Sequence, residues 1–382
     1  MTPVPGATPY WRLSGFYCAY FASLGALLPF WGLYLQDLGH DAAAIGELMA
    51  LLLATKIIAP NLWAWLADRH GQRVRVVRWA SFAALLCFGG VFFGDGYGWL
   101  ALVMVAFSFF WNASLPQFEA LTLAHLARDP HRYGLVRVWG SVGFILCVVA
   151  LGALFEQTDR SWLPWVVVAL FLLVWGVSLS VPDARAPASA AEWVPLRRVL
   201  ARPAVAALFL TCLLMQASHG PYYAFFSIHL DRAGYGQQLI GALWALGVIA
   251  EIGIFLVAGP LLRRFTPRTL LLTSLLLTAL RWLLVGGLVE QLAWLLGAQL
   301  LHAASFGIYH AAAIQLVHRY FPAPHQGRGQ ALYSSLSFGA GGALGSLLGG
   351  YAWVALGAGA TFVLASGLAL AGALVSWRWL RD

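Results

Sequence analysis

The hydrophobic positions of this 382-residue chain fall into twelve long runs, and short polar segments separate them. A membrane-spanning α-helix needs about 20 mostly apolar residues, and each run has roughly that length. The pattern therefore predicts twelve transmembrane helices. The predicted helices cover approximately residues 11–35, 43–66, 76–94, 98–123, 134–155, 162–181, 203–229, 238–259, 269–288, 291–317, 328–352 and 358–379.

The composition agrees with a membrane protein, because 61% of the residues are hydrophobic and only 10% are charged. Ordinary soluble domains carry about 25% charged residues. The net charge of +8 would suggest a nucleic-acid partner in a soluble protein. Here the arginines lie in short loops between apolar runs, where positive charge sets membrane orientation. We therefore expect a lipid bilayer, and no nucleic acid, as the partner of this surface.

Arginine is distributed unequally between the two sets of alternate loops. Eighteen arginines lie in one set: Arg12, Arg69, Arg73, Arg75, Arg78, Arg128, Arg132, Arg185, Arg197, Arg198, Arg202, Arg263, Arg264, Arg268, Arg319, Arg328, Arg378 and Arg381. The other set contains only Arg160 and Arg232, together with several acidic residues. Positively charged loops stay in the cytoplasm. The sequence thus predicts a multi-pass protein of the bacterial inner membrane with both termini cytoplasmic.

The longest polar connection joins the sixth and seventh predicted helices and divides the chain into halves. We predict an N-terminal six-helix bundle over residues 1–181, a cytoplasmic linker over 182–203 and a C-terminal six-helix bundle over 204–382. The halves share weak identities at a spacing of 195 residues: Ser23 with Ser218, Gly39 with Gly234, Ile45-Gly46 with Ile240-Gly241, and Arg73 with Arg268. Such parallel repeats are related by an axis along the membrane normal. The predicted fold is all-α, with two pseudo-symmetric bundles.

Lys56 is the chain's one lysine and lies in the middle of the second apolar run. A charge at the centre of a membrane helix costs about 2.5–3.5 kcal/mol, so it normally faces the protein interior or a water-filled pathway. In the repeat, Lys56 corresponds to Glu251 of the eighth predicted helix. Other polar residues lie at similar depth, and together they indicate a transport pathway.

The loop after the second helix contains Ala64, Asp68, Arg69, Gly71 and Arg73 in one short motif. The motif resembles the major facilitator signature G-x-x-x-D-R/K-x-G-x-R/K, with alanine in place of its first glycine. The acid and the arginines can form charge-assisted bonds that latch neighbouring helices, as a cytoplasmic gate would require. A plain positively charged loop is the alternative interpretation. The resemblance implies the major facilitator fold.

Further segments are similar to the lactose-permease branch of that superfamily, which includes the oligosaccharide:proton symporters and the phenylpropionate permeases. They are residues 28–30 with 35–37 in the first helix, 133–144 in the fifth, 244–251 in the eighth and Arg281-Trp282 in the ninth. The segments of the eighth and ninth helices are especially similar to phenylpropionate permeases, which carry a cation at the position of Lys56.

Glu119 and Arg137 lie 18 residues apart in the fourth and fifth helices. The resemblance implies that they bind substrate, as the glutamate–arginine pair of lactose permease binds sugar at the same separation. A structural ion pair between two helices is the alternative. Phe144 takes the place of the tryptophan on which lactose permease stacks its galactoside, so an aromatic platform is retained but a galactoside is disfavoured.

Glu251, Arg281 and His302 resemble the residues that couple substrate to protons in lactose permease. A carboxyl group in a low-dielectric environment and an imidazole can both carry a proton near neutral pH. A satisfied buried network without proton traffic is the alternative. The chain departs from the pattern at Ser305, which replaces the main proton-carrying glutamate. Gln216 and His219 replace the aspartates of the seventh helix, and we assign His219 to substrate binding.

These observations predict a secondary transporter that works by alternating access and is not an enzyme. The chain contains neither a nucleotide-binding G-x-x-x-x-G-K-[ST] motif nor an H-E-x-x-H metal motif, so no cofactor or metal is predicted. Protons are the expected coupling ion because of the histidine and glutamate groups. We expect a monomer.

Charge within the membrane suggests the substrate class. Lys56, Arg137 and Arg281 exceed Glu119 and Glu251 by one positive charge, which a small aromatic carboxylate such as 3-phenylpropionate would neutralise. A proton-coupled sugar or nucleoside symporter is one alternative, because the Glu119/Arg137 pair suits hydroxyl groups. A membrane sensor or scaffold without transport is another.

Overall fold

The computed structural model describes residues 8–127, 129–184, 196–322 and 325–380. Regular structure within these ranges is entirely helical. The helices are α1 (Tyr10–Asp37), α2 (Ala42–His70), α3 (Arg73–Phe88), α4 (Tyr97–His125), α5 (Tyr133–Gln157), α6 (Leu163–Ser180), α7 (Leu196–Leu200), α8 (Pro203–Arg232), α9 (Gln237–Arg264), α10 (Pro267–Gly287), α11 (Leu292–Leu300), α12 (Tyr309–Tyr320), α13 (Gln326–Ser334), α14 (Gly342–Leu356) and α15 (Ala358–Trp379). Three of the eighteen loop arginines, Arg128, Arg185 and Arg381, lie outside the described residues, as does most of the predicted linker.

Eleven helices within the described ranges are long and apolar enough to cross a membrane. The predicted eleventh span, formed by α13 and α14, is not among them because glycine lowers its hydropathy. The tenth and eleventh spans also differ from the predicted regular helices, since each contains a π-helical segment, at Ala303–Ile308 and Ser335–Gly341. Such wide turns are frequent at functional sites.

The turn glycines of the repeat have the same conformation in both halves. Gly39 has a φ of 90° and Gly234 a φ of 84°, and no neighbouring atom lies within 4 Å of a Cβ built on either one. Residues other than glycine rarely adopt positive φ, so the backbone conformation explains why both positions are glycine. The 195-residue spacing marks two equivalent turns, each of which joins the first helix of a half to its second.

Each half packs around its own first helix. In the first half, α1 packs on α5 and α6, and α2 packs on α4; in the second half, α8 packs on α14 and α15. The halves meet along α1 with α8, α2 with α14, and α5 with α9. The chain therefore forms two bundles of six spans each, as the sequence predicted. The exact division at residues 182–203 remains a prediction.

We call the end of the molecule where α1 begins and α15 ends the terminal face, and the other end the opposite face. The halves approach very closely near the opposite face. A Cβ at Gly241 of α9 would lie 2.3 Å from the carbonyl oxygen of Val148 on α5, and one at Gly350 of α14 would lie 2.6 Å from that of Ala42. Backbone therefore packs directly on backbone there.

Polar bonds reinforce this closure of the opposite face. Arg160 binds Asp37 of its own half at 2.6 Å and Asp231 of the other half at 3.2 Å. Glu156 accepts a bond from the backbone N–H of Gln238 at 3.0 Å, across the same boundary. The two bundles are thus joined at the opposite face by backbone packing and by charge-assisted bonds.

Candidate functional site

Glu119 of α4 and Arg137 of α5 face each other without a hydrogen bond between them. Their nearest atoms, Oε1 and Nε, are 4.0 Å apart, and the side chains are 37% and 31% exposed. The guanidinium carbon lies 3.9 Å from the ring centroid of Phe21, and Tyr133 lies close to Glu119. A helix-stapling ion pair would be shorter and dry. The loose, partly exposed pair therefore has hydrogen-bonding capacity left for a ligand.

Arg281 of α10 is fully buried and is bonded only to neutral groups within the described part of the chain. Its acceptors, each at 3.0 Å, are the Ala298 carbonyl, Gln299 Oε1, His302 Nδ1 and Ser305 Oγ. The guanidinium also lies 4.3 Å from the ring centroid of Tyr222. Neutral acceptors and an aromatic face satisfy its donors, but they leave its positive charge uncompensated.

His302 connects this guanidinium to Glu251 of α9. Arginine can only donate, so the contact with Arg281 makes His302 Nδ1 an acceptor and places the ring proton on Nε2. His302 Nε2 is 3.7 Å from Glu251 Oε2, and both side chains are largely buried. The order Arg281–His302–Glu251 therefore fixes one tautomer that points its N–H at the carboxylate.

His219 of α8 is fully buried and has one free acceptor. Its Nδ1 donates to the Met215 carbonyl at 2.9 Å, while its Nε2 has no partner in the described structure. Its ring lies edge-on to Trp282 at 4.9 Å. Gln216 is also fully buried, and neither atom of its amide is bonded within the described residues. These unsatisfied groups are costly, so each is a candidate for a partner that the structure does not contain.

Lys56 and Phe144 lie on different contacts between the halves. The backbone of Lys56 packs against Gly339, and no hydrogen bond or ion pair within the described ranges involves its ammonium group. Phe144 of α5 is 6% exposed, with its ring 6.4 Å from that of Trp244 on α9. The structure does not bring Lys56 to either membrane carboxylate.

Arg137 lies within electrostatic range of Glu251 and of His310. The Glu119/Arg137 pair of the first half is therefore a neighbour of the Arg281 cluster of the second, and we call the region between them the central space. Six predicted residues meet around this space or in its walls: Glu119, Arg137, His219, Glu251, Arg281 and His302. Lys56 and Phe144 belong to the adjoining contacts between halves.

The loop motif lies far from this central space along α2. Asp68 and Arg73 form an ion pair at 2.5 Å between the end of α2 and the start of α3. Gly71 ends α2 with a φ of 64° and donates its N–H to the Ala67 carbonyl, and Arg69 stacks on Trp65. The motif thus latches two neighbouring helices of the first half, and its role in gating remains a prediction.

Sequence reasoning missed Gln299, Tyr222 and Tyr133. Gln299 accepts from Arg281 and donates to the Tyr222 hydroxyl at 3.1 Å and to the Leu243 carbonyl at 2.7 Å. A signal for Gln299 was available, because it lies three residues before His302 and thus near the same helix face. Tyr222 and Tyr133 had no comparable signal among so many aromatic residues.

Gln299→Leu is expected to destabilise the protein by about 2–3 kcal/mol, because the buried guanidinium loses one acceptor and two further bonds disappear. Denaturant unfolding of the purified protein in detergent would measure the loss. Gln238→Leu is the matched control, since that side chain is exposed and only its backbone N–H is bonded. Equal stability of the two variants would show that Gln299 does not hold Arg281 in place.

Comparison with known proteins identifies the family of this chain. The model of the MFS_1 like family matches residues 10–364. The "Probable 3-phenylpropionic acid transporter" of Escherichia coli strain K12 is 31% identical over 374 residues, which is 93% of this chain and 94% of that protein. The maltose permease of Geobacillus stearothermophilus is 28% identical over 94% of this chain and 92% of its own length.

Solved structures share the fold at low sequence identity. A crystal structure of a mutant of the nucleoside transporter NupG has a TM-score of 0.87 at 16% identity and covers 97% of this chain and 100% of that one. A bacterial homolog of the human lysosomal transporter Spinster, inward-facing and occupied, has a TM-score of 0.74 at 16% identity with 97% of both chains covered. The chain therefore belongs to the MFS_1 like family and is a multi-pass transporter of the major facilitator superfamily, not an enzyme.

Proposed function

We propose that the protein is a proton-coupled symporter of a small aromatic carboxylate in the bacterial inner membrane. The observation that carries this proposal is the uncompensated positive charge within the membrane. Arg281 is bonded to neutral groups, and the ammonium group of Lys56 has no hydrogen bond or ion pair within the described ranges. Only Glu119 and Glu251 offset these two cations and Arg137. An uncompensated charge in a membrane interior is costly, and a bound monoanion would remove that cost.

The walls of the central space support an aromatic substrate. Aromatic rings lie beside both polar clusters: Tyr17 and Phe21 in the first half, and Tyr222, Tyr223, Trp244 and Trp282 in the second. Rings of this kind stack on aromatic ligands and exclude water. The relative from Escherichia coli that is named as a probable 3-phenylpropionic acid transporter supports the same class.

Glu251 is the proposed proton carrier. Ser305, which bonds to Arg281, stands where the similar lactose permease has its main proton-carrying glutamate. Glu251 is therefore the acid that remains close to His302. When Glu251 is ionised, the Nε2–H of His302 points at it; when it is protonated, that attraction weakens. Protonation of Glu251 would therefore weaken the contact of α9 with His302 in the tenth span, and through His302 with Arg281 of α10. Alternating access requires contacts that differ between two states in this way.

We further propose that the terminal face lies in the cytoplasm, because most arginines of the chain are in its loops. The halves are closed against each other at the opposite face. The described conformation would then be open toward the cytoplasm, with Glu119 and Arg137 exposed to that side.

A neutral sugar or nucleoside is the second candidate substrate. The 4.0 Å separation of Glu119 and Arg137 leaves one strong acceptor and one strong donor free for hydroxyl groups. The maltose permease and the nucleoside transporter among the similar proteins are consistent with such a ligand. A thermal-shift screen of the purified protein against aromatic acids, sugars and nucleosides would separate the two candidates.

Lys56→Gln is expected to weaken binding of 3-phenylpropionate by about tenfold or more, because one charge-assisted contact with the carboxylate is lost. Binding of the neutral amide of the same acid should change less than about twofold, well under 1 kcal/mol. Calorimetric titration of the purified protein measures both affinities. Lys56→Arg is the control and should retain preference for the acid. Equal losses for the acid and the amide would contradict carboxylate recognition by Lys56.

A further inference from the structure

The opposite face is acidic, which is unfavourable for a protein that takes up an anion there. The acidic residues near this face are Asp37, Asp41, Glu47, Asp95, Glu156, Asp159, Asp231 and Glu290. The arginines of the loops at this face are Arg160 and Arg232. Arg160 is neutralised by two aspartates and joins the halves. A surface of one sign repels ligands of the same sign and slows their association.

Arg232, at the end of α8, differs from Arg160 because no ion pair within the described ranges involves it. Its guanidinium carbon lies 5.5 Å from the ring centroid of Trp353 on α14. The side chain is exposed, and no hydrogen bond within the described ranges involves its guanidinium. Arg232 is thus an available cation on an acidic face, placed over an aromatic ring.

A cavity of about 340 Å³ lies beside Arg232, between the two halves. Its apolar walls are Ile45 of α2, Ile228 of α8, and Trp353 and Val354 of α14. This volume is within the range of small-molecule sites. The cavity follows the contacts of α1 with α8 and of α2 with α14, which must separate when the opposite face opens.

The polar groups that line the cavity differ in whether they have hydrogen-bond partners. Asp41 accepts the N–H of Ala44 at the start of α2, and His40 is bonded to the Asp95 carbonyl. Gln36 lines the same cavity, and its Oε1 is buried without a partner in the described structure. Within the described residues Arg232 is therefore the cavity's unpaired cationic donor, whereas Gln36 offers an acceptor and Asp41 keeps its negative charge.

We propose that this cavity is an outer docking subsite for a small aromatic carboxylate. Arg232 binds the carboxylate, and Trp353, Ile45 and Ile228 cover the apolar part of the molecule. The subsite holds the anion against the repulsion of the surrounding acids until the halves separate and the central space opens. The inference rests on the proposed function, because it assigns the same substrate class to a second position along the same pathway.

Arg232→Gln should raise the KM for 3-phenylpropionate uptake by about tenfold with an unchanged maximal rate, because attraction at the outer face governs capture. Initial rates in right-side-out membrane vesicles measure both quantities. Salt should lower the KM of the variant more than that of the unchanged protein, because it screens the repulsion by the surrounding acids that Arg232 no longer offsets. Uptake of the neutral amide should be the same in both proteins.

The matched control is Arg264→Gln at the terminal face, where the guanidinium stacks on Phe265 at 5.6 Å and is also exposed. It should leave the KM unchanged. A KM for Arg232→Gln within about twofold of the unchanged protein, or an equal rise for Arg264→Gln, would overturn the subsite while the proposed function stands. Absence of 3-phenylpropionate uptake by the unchanged protein would overturn the proposed function, and the subsite with it.

Discussion

Glu251→Gln is expected to abolish uphill accumulation of substrate while exchange of substrate across the membrane continues. The amide keeps the size of the side chain and can still accept the N–H of His302, but it cannot carry a proton. For one proton per monoanion, each unit of pH difference supports about a tenfold concentration gradient, equivalent to about 1.4 kcal/mol. The variant should lose that gradient completely, because its transport cycle no longer consumes protons.

Proteoliposomes with an imposed pH difference would measure accumulation, and counterflow in the same vesicles would measure exchange. Glu290→Gln is the matched control, since Glu290 is an exposed acid of the same half between α10 and α11. It should keep both activities. Uphill uptake that survives in Glu251→Gln would move the proton to His302, His219 or Glu119.

Gly241→Ala is expected to shift the protein toward a state that is open at the opposite face. The added methyl group would lie 2.3 Å from the Val148 carbonyl oxygen, and a backbone oxygen cannot move unless α5 moves away from α9. Overpacking of this kind costs about 1–3 kcal/mol. Because the cost applies only when the halves are closed, it changes the ratio of the two states by about 5- to 150-fold.

Pulsed electron paramagnetic resonance would detect the shift. Spin labels at Asp159→Cys and Glu290→Cys, both exposed and on different halves, should show a new population at longer distance in a background without the native cysteines. Gly253→Ala is the control, because no neighbouring atom lies within 4 Å of a Cβ built on this glycine of α9. Identical distance distributions for the two glycine variants would show that the α5–α9 contact does not hold the face closed.

The sequence predicted the helices and much of the central site because these depend on local pattern. Hydrophobic runs gave the spans, and the 18-residue separation of Glu119 and Arg137 was enough to place them on adjacent helices. The π-helical segments were not predictable in the same way. They occur where a neighbouring helix approaches very closely, as at Gly307, where a Cβ would lie 2.5 Å from Ile254. That approach is a property of the packed bundle.

The partners of the membrane charges were likewise not predictable from the sequence. From the sequence, Lys56, Arg137 and Arg281 were three equivalent cations in the membrane, and Lys56 was paired with Glu251 only by the repeat. In the structure Arg281 is held by Gln299, His302 and Ser305, and Arg137 lies 4.0 Å from Glu119. Lys56 lies apart from both membrane carboxylates. Lys56 and Glu251 are equivalent in the repeat but lie apart, because α2 packs on α14 of the other half whereas α9 packs on α5.

The sequence by itself determined where the long apolar helices lie, the two-bundle fold, the distribution of charge between the faces and the residue types available for coupling. These follow from periodicity, loop composition and spacing, which are all local along the chain. Only the tertiary structure decided which polar groups satisfy one another, where the halves meet, and that Lys56 and Arg232 have no acid as a partner within the described ranges. Those outcomes depend on the rotation and separation of helices distant in sequence, and packing of the whole molecule sets both.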